Sequence, residues 1–153
     1  MTASEQLATI GLKKVNVLAD GNCFFRAISH QLYRHENEHL NIRSATINYL
    51  ILNMNDFAPF IDEDIDPTIG YYIDRMSQNG TYADHLAVSA TAVIIKKNII
   101  IHEIGKKPLF IPGSDFLDHQ LHVWYDPNMP HYDSVVCVNG NSAFLSPEQV
   151  LLP

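Results

Sequence analysis

The stretch Asp20-Gly21-Asn22-Cys23-Phe24-Phe25-Arg26-Ala27 constrains this chain more than any other. Asp-Gly-Asn is a tight-turn sequence, and beyond it the apolar residues Phe25, Ile28 and Leu32 stand at helical spacing. The spacing predicts a helix over 23–33 with Cys23 in its first turn. Unpaired N–H groups and the helix dipole favour negative charge there, and the thiolate is the nucleophilic form of cysteine. Gly21 lets the backbone bend closely without a Cβ. The amides of Asn22 and Cys23 are candidate donors to an oxyanion formed when a carbonyl is attacked. A small cysteine packed in a core fits the same local pattern.

The rest of the chain supplies a setting for that sulfur. Before the turn, Lys14–Leu18 alternates as a short strand, preceded by a stretch (4–12) read as a short helix or a flexible lead. Helices are expected at 41–54, 71–77 and 83–92, the last running into a β-rich segment at 93–95. Between the first two lies an acidic, proline-containing loop, 57–67, and Asn79-Gly80 reads as a helix stop. Strands are expected at 98–103, 109–111, 121–125 and 132–138, and Ser146-Pro147-Glu148-Gln149 reads as the start of a final helix. Helices early and strands late indicate an α+β class, a small sheet packed by helices, in one domain over 1–153.

With 46% hydrophobic and 18% charged residues, the balance is that of a globular chain, and 153 residues bury a sizeable core. The net charge of −7 argues against nucleic acid as a partner and suits a basic one. Two cysteines make no disulfide framework, which points to a reducing compartment. No signal peptide and no apolar run of spanning length stand out, so a cytoplasmic protein without a membrane span is expected. A monomer is expected, since no heptad or extended apolar face is evident.

Of the eight histidines, His131 is the best placed base, following Pro130 at the entrance to an apolar strand. A base needs an orienting group, and two carboxylates qualify. Asp133 shares a strand face with His131, whereas Asp20 lies three residues before Cys23. Cys137, inside Val135-Val136-Cys137-Val138, reads as core packing.

Taken together, Asp20 to Ala27 resembles the nucleophile motif of the ovarian tumour (OTU) domain cysteine proteases, and His131-Tyr132-Asp133-Ser134-Val135 resembles that family's histidine motif. The resemblance covers roughly residues 14–138. It implies a papain-like thiol isopeptidase that removes ubiquitin, or a ubiquitin-like modifier, from lysine without a cofactor. Cys23 would be the nucleophile and His131 the general base and acid. Either Asp133 or Asp20 would support the histidine, with Asp133 the better orienter and Asp20 bracing the turn. Tyr132 and Trp124 are candidate walls of a narrow channel for a glycine-glycine tail, although Trp124 also suits a core. The acidic run Asp62-Glu63-Asp64 is a candidate contact for a basic tail or a solvated loop. A small domain of this kind can serve a cell or act as an effector delivered to a host cytosol.

Two readings compete. A catalytically silent ubiquitin-binding module on the same fold has no need of Cys23, His131 and Asp133 together. His35-Glu36-Asn37-Glu38-His39 fits the letters of a zinc-hydrolase signature, which requires both histidines on one helix face. Here the segment falls where the first helix ends, and no third ligand is evident beyond Glu63. His119 and His122, three apart at a strand entrance, point to opposite faces and are poor partners for one metal.

Overall fold

The computed structural model describes residues 1–152. Its elements are helices α1 (Ala3–Ala8), α2 (Cys23–Tyr33), α3 (His39–Leu52), α4 (Met54–Phe57), α5 (Ile69–Met76) and α6 (His85–Ile95), with strands β1 (Leu12–Val15), β2 (Asn98–His102), β3 (Leu109–Ile111), β4 (Gln120–Asp126) and β5 (His131–Cys137). The strands form one mixed sheet in the order β1-β5-β4-β2-β3, parallel only between β2 and β4. The α+β class is as the sequence indicates. No helix among the described residues is long and apolar enough to cross a membrane.

The sheet buries both faces. On one, Ile99, Leu121, Val123 and Tyr132 pack with Phe24, Phe25, Ile28 and the inner sides of α3, α5 and α6. On the other, Ile100, Phe110, Trp124 and Val135 pack with Leu7, Leu12, Leu145 and Val150. Successive strand side chains point to opposite faces, which sorts these two sets.

Most boundaries shift by a residue or two, and β1 begins at Leu12; three of the differences have identifiable reasons. The first strand ends at Val15 rather than Leu18, because the Asp133 carboxylate captures the Val17 N–H at 2.9 Å and draws the chain off the ladder. Residues 93–95, β-branched and read as strand-like, complete α6; the helix stops at Lys96, whose left-handed backbone (φ 55°) returns the chain to the sheet. The final helix is a single 3-10 turn, Pro147–Gln149, after which Leu151 pairs beside Leu109 and covers the sheet edge.

A polar chain crosses the second face. Gln120 donates through Nε2 to the carbonyls of Leu117 and Leu145, both at 2.9 Å, so its Oε1 is an acceptor. His122 therefore donates from Nε2 to Gln120 (2.8 Å), and its Nδ1 accepts from His102 Nε2 (2.9 Å). Both imidazoles are neutral in this arrangement. Burial pushes His102 down to about 4 and His122 well below the ordinary histidine value. A histidine buried neutral binds fewer protons folded than unfolded, so its contribution is complete above about pH 6.5 and falls away toward pH 4. At 1.36 kcal/mol per unit, the His102 shift corresponds to about 3 kcal/mol. Urea unfolding at pH 7.5 and 4.5 is expected to show wild type losing about that much more stability than His102→Leu on acidification.

Candidate functional site

Cys23 opens α2 directly after the turn, and Asn22 closes that turn in the bridge region (φ −99°, ψ 5°). The turn is held from within by Asp20. Its carboxylate accepts from the Asn22 N–H at 2.9 Å, and its carbonyl accepts from the Cys23 N–H at 3.2 Å. Arg26, one helical turn on, clamps the same carboxylate through Nε (3.1 Å) and an Nη (2.9 Å), holding Asp20 below its ordinary range.

From outside, the turn is held by residues that are distant in sequence. Arg43 of α3, 2% exposed, donates to Asn22 Oδ1 (2.9 Å), Gly21 O (3.3 Å), Thr81 O (2.8 Å) and Met76 O (2.9 Å). Asn22 Oδ1 also accepts from the Gly80 N–H at 2.8 Å, and its Nδ2 donates to Asn79 at 2.8 Å. This draws Gly80 so close that a Cβ on Gly21 would lie 1.6 Å from the Gly80 carbonyl oxygen.

The histidine arrives on the β4–β5 hairpin. Asp126 pairs with His131 across a four-residue loop, 127–130, whose Asn128 N–H is held by the Asp126 carboxylate at 2.9 Å. His131 Nε2 donates to Asp133 Oδ1 at 2.8 Å. That carboxylate, almost fully buried, is fixed by Val17 N–H and by Lys14 Nζ at 3.3 Å. With its proton on Nε2, His131 has a lone pair on Nδ1 available to a proton donor. The next residue, Tyr132, donates its N–H to Cys23 Sγ at 3.4 Å, which places the start of β5 against the sulfur.

Above them opens a cleft of about 570 Å³ lined by Asp20, Gly21, Tyr82, Met129, Pro130 and His131, among others. Cys23 is sealed beneath, 1% exposed. Burial raises its thiol, and the Asp20 charge adds to this, while the Tyr132 and Phe24 N–H groups and Tyr82 oppose. The balance at this helix start therefore disfavours the thiolate. Desolvation outweighs the N–H donors, and Arg26, the nearby cation, is already paired with Asp20.

The structure thus joins Cys23, His131, Asp133 and Asp20 at one end of the sheet, with the two carboxylates in different roles. Asp133 holds the histidine, and Asp20 holds the turn. The Asn22 and Cys23 amides, expected to face an oxyanion, are engaged by Asp20 in this conformation. Of the two candidate channel walls, Trp124 takes the core role it also suits. Trp124 packs in the second core cluster, and the Tyr132 ring lies under Tyr82, so neither lines the cleft. Cys137 is half-buried at a strand end against that second cluster.

Sequence alone shows no sign of Arg43 or Tyr82 at the site, marks Asn79-Gly80 only as a helix stop, and assigns Asn22 a turn and an amide but no side-chain role. Their partners are all non-local, and Asn79-Gly80 was the sole local signal. The His35–His39 segment is the turn between α2 and α3, with only His39 helical. Its Glu36 accepts from Leu18 N–H (3.1 Å) and faces Arg26 (3.7 Å). Among the described residues no group of three histidine, cysteine or acidic side chains is placed to hold a metal.

The close approach of the two loops makes a stability prediction. Gly21→Ala must displace backbone and is expected to cost about 2 kcal/mol. Gly70→Ala, inside α5 with its nearest neighbour at 3.8 Å, is expected to gain up to about 1 kcal/mol in the same urea titration.

Residues 18–140 match the family model described as OTU-like cysteine protease. OTU domain-containing protein 3 of Mus musculus is 37% identical over 140 residues, 91% of this chain and 35% of the mouse protein. OVARIAN TUMOR DOMAIN-containing deubiquitinating enzyme 7 of Arabidopsis thaliana is 36% identical over 131 residues, 85% of this chain and 34% of the plant protein. The chain spans about a third of the length of these relatives. Among solved structures, the OTUD1 OTU domain has a TM-score of 0.76 at 23% identity, covering 87% of this chain and 91% of that one. An ovarian tumor domain in complex with ubiquitin has a TM-score of 0.72 at 18% identity, covering 90% and 78%. These likenesses show a shared fold. With the family match running through both the Cys23 turn and the His131 strand, the chain belongs to the OTU-like cysteine protease family.

Proposed function

We propose that this chain is a thiol isopeptidase that releases ubiquitin, or a ubiquitin-like modifier, from lysine. The observation that carries the reading is the pair of contacts at the start of β5: Asp133 holds His131, and the next residue, Tyr132, bonds Cys23 Sγ through its N–H. His131 Nδ1 takes the thiol proton, and the sulfur attacks the carbonyl of the modifier's terminal glycine. A tetrahedral oxyanion forms and collapses, with His131 returning the proton to the departing lysine amine. Water, deprotonated by His131, then cleaves the thioester and restores the thiol. The step needs no redox partner. Asp133 fixes the ring and stabilises the imidazolium; Asp20 and Arg26 keep the turn that presents the nucleophile. Family membership and the ubiquitin complex of a neighbour in fold support ubiquitin as the partner. A nucleophilic thiol calls for a reducing compartment, in keeping with the cytosol of a cell or of a host.

The sealing of Cys23 favours a second reading, a ubiquitin-binding module that turns nothing over. Hydrolysis of a ubiquitin C-terminal fluorogenic amide separates the two. Turnover is expected in wild type, to vanish in Cys23→Ala and to ignore a chelator. Asp133→Asn is expected to lower kcat by about 100-fold or more, with KM little changed. Asp20→Asn is expected to act mainly by loosening the turn, seen as a lower unfolding midpoint. A folded wild type that binds ubiquitin without turnover would overturn the isopeptidase reading.

A further inference from the structure

Tyr82 lies in the segment between α5 and α6, and its backbone is anchored by the residues just before it. Thr81 O accepts from Arg43 at 2.8 Å, Thr81 Oγ1 donates to Arg75 O at 2.9 Å, and Gly80 N–H is held by Asn22. Its ring stacks on Tyr132, centroids 6.0 Å apart and planes 25° from parallel. Tyr132 is wedged in turn against Phe24 and Tyr125. The phenol is therefore held rigidly over the residue whose N–H touches Cys23 Sγ.

The Tyr82 hydroxyl is closed off from solvent, faces the Cys23 sulfur and completes no well-formed hydrogen bond in the resting site. A buried donor without an acceptor is unfavourable, so its retention calls for an acceptor present at another stage. A thiol is a poor acceptor and a thiolate a good one. We propose that the Tyr82 hydroxyl is a hydrogen-bond donor to the Cys23 thiolate, engaged when the thiol proton passes to His131. In that step the S–H bond breaks, an N–H bond forms on His131, and Tyr82 keeps its own proton while its O–H turns onto the sulfur.

The surroundings agree. Tyr82 counts among the groups that favour the ionised sulfur, against burial and Asp20. Burial and the facing Cys23 push the Tyr82 hydroxyl above its ordinary value, so it stays protonated and able to donate. The other titratable or charged groups around the sulfur are Asp20 and Arg26 on the turn and α2, Tyr125 on β4, and His131 and Tyr132 on β5. The remaining donors to the sulfur are the main-chain N–H groups of Tyr132 and Phe24, so Tyr82 is the donor that substitution can remove.

The proposal rests on the cysteine-hydrolase reading, and its test is independent of ubiquitin. Iodoacetamide alkylation of Cys23 is followed from pH 5 to 10 in the full chain carrying Cys137→Ser, with Tyr82 or Tyr82→Phe. Phenylalanine keeps the stack and removes only the hydroxyl, and far-ultraviolet dichroism confirms the fold. The alkylation midpoint is expected to rise by about one pH unit in Tyr82→Phe. kcat on the ubiquitin amide is expected to fall about tenfold at unchanged KM. Equal midpoints would overturn the donor role even if wild type hydrolyses the amide. A raised midpoint would uphold it even if neither protein turns ubiquitin over, a result that would instead count against the isopeptidase.

Discussion

The Arg43 guanidinium lies in the interior with four oxygens around it, stacked on the Phe25 ring 4.5 Å away, and has no ion-pair partner among the described residues. Burial disfavours its charge, and hydrogen bonds to carbonyl dipoles offset that cost. Three of those oxygens belong to the segments that must meet at the site: Gly21 and Asn22 on the nucleophile's turn, and Thr81 on the loop that carries Tyr82. A cation at their junction draws both loops inward. Asn22 completes the join by bonding Asn79 and Gly80, and the absence of a Cβ at Gly21 makes the contact sterically possible.

With the turn fixed, the charge distribution around Cys23 is set as well. Asp20 neutralises Arg26 and takes up the amides of the turn, so the sulfur sees little net positive field. Its environment is apolar, formed by Phe24, Tyr132 and Tyr82, and this burial favours the neutral thiol. Desolvation, more than the donors at the helix start, sets the direction of the shift at this sulfur. The Asp133 carboxylate ties that histidine to the rest of the fold by bonding Val17 and Lys14 as well, so one side chain sets the ring angle and ends the first strand.

Local sequence was enough wherever the controlling interactions are local. α2 runs Cys23–Tyr33 as its apolar spacing requires, and β5 runs His131–Cys137, within a residue of its alternating pattern. His131 and Asp133 share a strand face because strand geometry has a period of two. The β-branched residues 93–95 misled because a helix already running from His85 extends by one hydrogen bond per residue, which overrides a weak β propensity even though Val93 is exposed. Trp124 packs in the second core, the role its apolar bulk suits, and it pairs across the ladder with Asp133.

The order of chemical groups was written in the sequence: a turn, a cysteine at a helix start, and a histidine and an aspartate two apart on a strand. Each depends on backbone geometry spanning a few residues. The division of labour between Asp20 and Asp133, the sealing of the sulfur, and the roles of Arg43, Asn22 and Tyr82 were decided only by the tertiary structure. Arg43 reaches back to Asn22 and forward to Thr81, and Tyr82 meets Tyr132, across long stretches of chain. Desolvation and orphaned donors are properties of a closed packing, and no local pattern of residues encodes them.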